Sequence, residues 1–207
     1  EATEFILSVE PPNDPNPSIP SNSRLLSGKF TGNVATINSD EVIGDLTGIS
    51  GKFVLKTPTD TNDTNDEFGI WFEDPTGIQS VAGLNFPELG SGWKYEGWVI
   101  FNDIPVTTGT FSTVSGFDDA SPYSGNSVTP NFPGEDFLNS APQGLTFPQD
   151  ADIRGRSVVI SIEPSPDYDQ ATPFILKPLK GTAGQNTTPT LNTLTATNTA
   201  PLGRVIR

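Results

Sequence analysis

The sequence WKYEGWVIF, residues 93–101, carries the strongest strand pattern in the chain. Successive side chains of a strand point to opposite faces of a sheet. The two faces of this stretch are formed by Tyr95, Val99 and Phe101 and by Trp98 and Ile100. Both faces are apolar, and Gly97 leaves room for a neighbouring backbone to approach. The pattern therefore predicts a central strand that is covered on both sides.

The neighbouring sequence extends this strand into a sheet. The turn NDIP follows at 102–105, and VTTGTFSTV at 106–114 is predicted to return as the hairpin partner. Other short extended runs, each bounded by turn-forming residues, are residues 4–10, 25–34, 41–46, 52–56, 68–74, 157–163 and 173–179. The chain has 20 Pro and 20 Gly among 207 residues, which disfavours long helices. We predict an all-β fold, an antiparallel Ig-like β-sandwich.

Two segments interrupt the regular pattern of short strands. Residues 115–150 contain few periodic apolar positions and many turn formers, and we expect a long loop insertion that is a candidate binding surface. A packing role for the same loop is the alternative. The sequence becomes rich in Thr after residue 181. We therefore predict one domain over residues 1–181 and an extended C-terminal tail over 182–207.

The tail alternates between Thr and apolar residues, a period of two that is typical of a strand without an obvious partner. Such a strand is disordered, pairs with an edge of its own domain, or adds to an edge of a neighbouring subunit. A chain ending at residue 181 is expected to fold alone if the third alternative holds. The candidate interaction residues are then Thr193, Leu194, Thr195, Ala196, Thr197, Leu202, Val205 and Ile206.

The composition excludes most catalytic arrangements. The chain contains no His, Cys or Met, so the side chain that titrates near neutrality and the usual ligands of zinc, copper and iron are absent. There is also no GxSxG and no phosphate-binding glycine loop. We predict a protein that is not an enzyme and that has no catalytic residues and no organic cofactor. The lack of Met indicates a mature product whose N-terminal leader has been removed.

Paired carboxylates are the one catalytic device that the composition leaves open. Glycosidases need only two acids about 5–10 Å apart, and the chain has 25 acidic residues. Nothing in the spacing singles out a pair, so enzyme function ranks third. The acids considered are Glu88, Glu96, Asp103, Glu135, Asp136 and Glu163.

The acidic run DTNDTNDE at residues 60–67 offers the hard oxygen ligands that calcium prefers. It is not an EF-hand loop, because Asn65 replaces the required Gly and Trp71 stands where the bidentate Glu belongs. A polar hairpin loop is the alternative interpretation. Calcium is the only cofactor that we consider, and its candidate ligands are Asp60, Asn62, Thr64 and Asp66.

The formal net charge of −14 repels phosphate backbones and anionic lipids, which excludes nucleic acid as a partner. Acidity that serves only solubility is the alternative explanation. No apolar run approaches the about 20 residues of a membrane span. The richness in Thr, Asn, Ser, Gly and Pro is typical of bacterial proteins outside the cytoplasm, so we expect a secreted or cell-surface location.

Two segments together resemble a known domain. They are LNFPELGSGWKYEGWVIFNDIPVTTGTF at 84–111 and RSVVISIEPSPDYDQATPFILKPLKG at 156–181. Their order of turns, aromatic strand, PVxxGxF strand and EPxxxxxxP is similar to the extracytoplasmic C-terminal domain of anti-sigma-K factors. The matching positions are Pro87, Gly92, Tyr95, Trp98, Pro105, Val106, Gly109, Phe111, Glu163, Pro164 and Pro173.

This resemblance covers about half the chain and implies a β-sandwich outside the cytoplasm. The family's regulatory activity resides in a sigma-binding segment and a membrane helix that this sequence does not contain. The insertion at 115–150 and the tail also depart from the family.

We expect a non-enzymatic surface module that acts through protein contact. The predicted partner is a second copy of the chain, added through the C-terminal strand to build a coat, filament or adhesive array. Another surface protein or a glycan is a further possible partner. The alternative function is a sensory or binding module for carbohydrate or calcium, resembling the anti-sigma-K domain.

Overall fold

The computed structural model describes residues 2–62, 64–197 and 200–207. The chain is all-β, with 37% strand and 3% helix. The strands are β1 (Glu4–Ser8), β2 (Arg24–Thr31), β3 (Val34–Asn38), β4 (Ser50–Leu55), β5 (Gly69–Trp71), β6 (Glu73–Asp74), β7 (Val81–Ala82), β8 (Leu84–Asn85), β9 (Trp93–Phe101), β10 (Ile104–Phe111), β11 (Gly134–Asp136), β12 (Ser157–Pro164), β13 (Leu179–Thr182), β14 (Asn192–Ala196) and β15 (Leu202–Ile206). The helices are α1 (Asp40–Ile43) and a 3-10 helix (Asp66–Phe68). Neither is long enough to cross a membrane.

The strands form three sheets, and every pairing is antiparallel. The nine-stranded sheet has the order β10-β9-β12-β13-β14-β4-β5-β11, with β8 also paired to β4. The four-stranded sheet has the order β1-β2-β3-β15, and β6 and β7 form a small ribbon. The predicted all-β fold with antiparallel sheets is confirmed.

The predicted central strand at 93–101 is confirmed. Strand β9 lies between β10 and β12, and β10 returns from it through a tight turn in which Asn102 and Asp103 have φ values of 51° and 68°. Left-handed residues of this kind suit the twist of a two-residue hairpin. At Gly97 an added Cβ would stand 2.1 Å from the Thr108 hydroxyl oxygen, so only Gly permits this contact.

The two larger sheets contribute to one hydrophobic core. Leu25 and Ile37 of the four-stranded sheet join the same buried cluster as Tyr95 and Val99 of β9. The contact is fixed by polar groups at its margin, where the Trp93 indole N–H donates to the carbonyl of Arg24 at 3.0 Å. Burial of this apolar surface is the main stabilising contribution to such a core.

Two predicted strands have a different structure. Residues 41–46 contain part of α1, because acidic residues in its first turn suit the positive end of a helix and Gly44 ends it with φ of 91°. Residues 173–179 are largely irregular, and β13 begins only at Leu179. Pro173 and Pro178 lack the N–H groups that a ladder requires.

The insertion at 115–150 packs against the sheet. Phe137 is fully buried, and its ring meets those of Phe101 and Phe147 at centroid distances of 5.2 and 5.4 Å. The segment also contributes β11, which pairs with β5. Gly134 makes this pairing possible, because a Cβ at that position would stand 2.4 Å from the carbonyl oxygen of Ile70.

The Thr-rich segment contributes two strands to the sheets. Strand β14 lies between β13 and β4 in the nine-stranded sheet, and its Leu194 is only 2% exposed. Strand β15 pairs with β3. Residues 198 and 199 lie outside the described residues. The predicted boundary at residue 181 therefore falls inside β13, and a chain ending there would lack an interior strand.

The tail contains a matched pair of leucines that tests this placement. Leu194→Ala should lower the free energy of unfolding by about 2–5 kcal/mol, because it leaves a cavity in the core. Leu202→Ala should change it by less than about 0.5 kcal/mol, because Leu202 is 83% exposed. Urea unfolding measures both values. Similar values for the two variants would contradict an interior β14.

Candidate functional site

A cavity of about 510 Å³ opens over one face of β9, β10 and β12. Its floor carries Glu96 and Glu163, and the insertion contributes Tyr123 to the wall. The loop after β12 closes the other side with Asp167 and Gln170. The insertion, predicted as a candidate binding surface, therefore lines this cavity.

Strand register brings the two glutamates together. Glu96 of β9 faces Ser161 of β12, and Lys94 faces Glu163. Positions two residues apart in paired strands share one face of the sheet. Glu96 and Glu163 are thus diagonal neighbours on the cavity face. Tyr95, Val99 and Phe101, on the other face of β9, point into the core.

Each glutamate is held by hydrogen bonds to one of its carboxylate oxygens. The Ser161 hydroxyl and the Phe174 backbone N–H, the latter at 2.8 Å, donate to Glu163 Oε1. The Trp98 indole N–H donates to Ser161 Oγ at 2.7 Å and completes the chain. The Thr107 hydroxyl donates to Glu96 Oε1 at 2.5 Å. These bonds fix both side chains in the cavity floor.

Three carboxylates converge in the cavity. One oxygen from each of Glu96, Glu163 and Asp167 lies within 4.8 Å of the other two. Burial, with a smaller contribution from the charges of Glu163 and Asp167, raises the pKa of Glu96 to about 7 although the Thr107 hydrogen bond lowers it. Burial also raises the pKa of Glu163. Removal from water disfavours the ionised form, and nearby like charges add to this effect.

A second group of buried acids, Glu135 and Asp136, lies on β11. Burial raises the pKa of Glu135 to about 8 and that of Asp136 to about 6. Asp136 accepts hydrogen bonds from the Thr59 backbone N–H at 2.8 Å and from the Trp71 indole N–H at 2.7 Å. The Ser124 hydroxyl donates to Glu135. These partners make the group an anchor for the insertion.

The structure distinguishes between the acidic residues that are candidates for a carboxylate pair. It brings Glu96 and Glu163 together, whereas Glu88 and Asp103 are exposed. Sequence reasoning missed Asp167, which completes the cluster. The sequence gives one weak indication of its role, which is that Asp167 stands four residues after Glu163 in the turn EPSPD at the end of β12.

The predicted calcium ligands at 60–66 make hydrogen bonds within their own loop. Asp60 Oδ1 accepts the Asn62 backbone N–H at 2.9 Å, and Asn62 Oδ1 accepts that of Thr64 at 3.1 Å. Asp66 Oδ1 accepts the Thr57 N–H at 3.0 Å. Such side-chain bonds to nearby backbone groups are typical of turns. The calcium assignment to this loop stays a prediction.

The predicted interaction residues fall into two environments. Those on and next to β14, Thr193, Leu194, Thr195, Ala196 and Thr197, belong to the interior of the nine-stranded sheet. Those on β15, Leu202, Val205 and Ile206, belong to an edge strand whose only partner among the described residues is β3. Leu202 and Ile206 are 83% and 70% exposed.

The backbone of β15 is oriented for further pairing. The Arg207 N–H donates to the Asn33 carbonyl at 3.0 Å, and bonded positions alternate along an antiparallel pair. The backbone N–H and C=O groups of Leu202, Arg204 and Ile206 therefore point away from β3 toward the open edge. An edge of this kind is a template for another strand.

No protein-family model, curated protein or solved structure matches the chain. The open edge of β15 and the acidic cavity are the candidate sites of function.

The raised pKa values predict an unusual pH dependence of stability. Glu96 and Glu135 lose their protons near pH 4.5 when unfolded, but near pH 7 and 8 when folded. Between these values the folded chain holds more protons, so the free energy of unfolding falls as pH rises. We expect the melting temperature in metal-free buffer to decrease from pH 5 to pH 8.

Glu96→Gln should flatten this slope, because the neutral amide keeps the acceptor for Thr107 and removes the titration. Glu88→Gln is the matched control, since Glu88 is exposed. A melting temperature that rises across the same range, or an equal effect of the two substitutions, would contradict the protonation of buried Glu96.

Proposed function

We propose that the protein is a non-enzymatic structural module that self-associates by strand addition at β15 and so builds a coat, filament or adhesive array. The observation that carries this proposal is the open edge of β15, with exposed Leu202 and Ile206 and outward backbone groups. The partner is a second copy of the chain, and the surface that it offers is the other edge of the same sheet, strand β1.

The β1 edge matches the β15 edge in backbone orientation. The Phe30 N–H donates to the Thr3 carbonyl at 3.0 Å, so by the same alternation the backbone groups of Glu4 and Ile6 point to the open side of β1. Among the described residues β1 pairs only with β2. Both edges thus present outward-pointing backbone groups at every second residue, with no strand paired to them among the described residues.

The side chains of the two edges are also complementary. Following the register across the sheet, Glu4 faces Lys29, Lys29 lies in line with Thr36, and Thr36 faces Arg204. Glu4 and Arg204 therefore share one face of the sheet. In an antiparallel contact that pairs Arg204 with Glu4, Leu202 meets Ile6. A basic and an acidic residue then oppose each other beside an apolar pair.

The number of strands allows this contact to repeat. Four antiparallel strands place β1 and β15 in opposite directions, so β1 of the next copy continues the alternation without inverting the molecule. Such a head-to-tail contact uses two different surfaces and does not close on itself. A twist of about 20–25° per strand turns each successive copy by about 80–100°. The nine-stranded sheets of successive copies therefore lie on different sides of the assembly.

The extracytoplasmic location and the finer fold belong to the same proposal. A secreted or bacterial surface location is supported by the composition and by an acidic charge of −14. An Ig-like sandwich is supported by the core that the two larger sheets share. The resemblance to the anti-sigma-K domain is supported by the adjacency of β9, β10 and β12, which carry most of its positions.

Charge reversal at the two edges tests the contact. Arg204→Glu replaces an attractive pair, worth about 0.2–1 kcal/mol, by a repulsive pair of similar size, and should therefore lower the association constant by about two- to 25-fold. Glu4→Arg should have the same effect by opposing two cations. Sedimentation velocity over a range of concentrations measures the association.

An equimolar mixture of the two variants is the decisive control. Each variant repels itself, but the β15 edge of either one suits the β1 edge of the other, so the mixture should assemble as the wild type does. An association constant of each variant alone that equals that of the wild type, or no recovery in the mixture, would contradict the β15–β1 contact.

A second candidate function is a binding or sensory module for carbohydrate or calcium. The observation that favours it is the cavity that the insertion closes over Glu96 and Glu163. Thermal melting with added calcium, with chelator and with simple sugars tests it, because a ligand that binds the native state raises the melting temperature. Unchanged melting in all conditions would remove this candidate.

A further inference from the structure

We propose that Glu96, Glu163 and Asp167 bind a divalent cation of the calcium type inside the cavity. This site is separate from the loop at 60–66 and from the β15 edge, so it goes beyond the proposed self-association. The first ground is geometric. Calcium holds oxygen ligands at about 2.3–2.6 Å, so ligands on opposite sides of the ion are about 4.8 Å apart. The three oxygens lie within 4.8 Å of one another and can reach one ion.

The second ground is an unsatisfied acceptor. Asp167 Oδ2 is buried and accepts no hydrogen bond within the part of the chain that the structure describes. The other carboxylate oxygen, Oδ1, accepts the Asp169 backbone N–H at 2.8 Å, and the half-buried Asp167 lines the same cavity. A buried polar atom without a partner is costly, and such atoms in native proteins call for an ion, a water or a functional role. A cation held with Glu96 and Glu163 supplies the missing partner.

The third ground is the burial and fixation of the two glutamates. Glu163 is 1% exposed and Glu96 is 5% exposed, and each has one oxygen tied by the hydrogen bonds described above. For both residues Oε2 accepts none from the described residues. Hydrogen bonds of this kind orient metal ligands in known sites. The cavity floor is therefore already arranged to present one oxygen from each side chain.

The fourth ground is that no ion pair among the described residues neutralises the cluster. Lys94, which lines the cavity, has its ammonium group 2.7 Å from Asp119 Oδ2. Lys177 donates to the carbonyls of Pro173 and Phe174 at 3.0 and 2.6 Å. No ion pair among the described residues involves the three acids. The Lys177 charge lowers the pKa of Glu163 without forming an ion pair with it, so most of the negative charge of the three acids is left for protons or a bound ion to compensate.

The chemistry of the ligands selects the class of ion. All three are hard carboxylate oxygens, which suit calcium, magnesium and manganese, whereas zinc and copper favour the nitrogen and sulfur ligands that this chain lacks. Calcium takes six to eight oxygens in a flexible geometry. Three carboxylates on two strands and a loop leave room for the remaining waters, so we assign calcium before magnesium.

Terbium luminescence and calcium titration test the site. Tb³⁺ serves as the probe for calcium, and excitation of Trp98 or Tyr123 should sensitise one bound ion per chain, which Ca²⁺ displaces. Isothermal titration with CaCl₂ gives the affinity directly. Glu163→Gln and Asp167→Asn should each weaken Ca²⁺ binding by at least about tenfold.

Matched variants distinguish this site from the loop at 60–66. Asp60→Asn removes a charge from that loop and should leave the affinity within about twofold. Glu163→Gln keeps an acceptor for Ser161 and Phe174, and its fold is checked by circular dichroism in chelator. If it does not fold, Asp167→Asn, on the exposed loop after β12, carries the test.

Two results would contradict calcium binding by Glu96, Glu163 and Asp167. No Ca²⁺ or Tb³⁺ binding by the wild type at millimolar concentration would overturn the proposal. Loss of binding in Asp60→Asn with retention in Asp167→Asn would overturn it as well and assign the ion to the loop. Neither result bears on association through β15, because the charge-reversal variants are measured in chelator.

Discussion

Strand β9 is buried on both faces, and the two faces have different roles. One face presents Tyr95, Val99 and Phe101 to the core that joins the two larger sheets. The other presents Glu96 to the cavity, where burial raises the pKa of its carboxyl group. Because side chains alternate strictly along a strand, the register that buries the aromatic face also fixes the position of the acidic one. Fold and site are thus set by the same pairing.

The sequence predicts the local elements well where the pattern is strong. Residues 93–101 and their hairpin were recognised because apolar side chains alternate there and a turn with Asn102 and Asp103 follows. The helix at Asp40–Ile43 was not recognised, because its four residues are too few to show a helical period. The pairing of β11 was also missed, since its sequence GED is acidic and depends on contacts with β5 that are distant in sequence.

Pairing between strands that are distant in sequence explains the remaining differences between the predictions and the structure. The period of two in the Thr-rich segment predicts a strand but not its neighbours, and β14 joins β13 to β4, which are far apart in sequence. The same reason concealed the carboxylate cluster. The sequence does not distinguish Glu96 and Glu163 from the other acidic residues, because only the register of β9 and β12 makes them diagonal neighbours. Asp167 can be recognised as a third member of the cluster only from its position beside them.

The central claim is that β15 of one copy pairs with β1 of the next. The chain has no Cys, so a double variant, Ile6→Cys with Leu202→Cys, can form only engineered disulfides. Residues directly opposite in an antiparallel pair have Cα atoms about 5.5 Å apart, which suits a disulfide. Mild oxidation of the assembled protein should give a ladder of covalent oligomers on a non-reducing gel. Each single variant should run as a monomer on the same gel, because its Cys has no Cys opposite. A product that remains monomeric, or dimers from Leu202→Cys alone, would contradict the account.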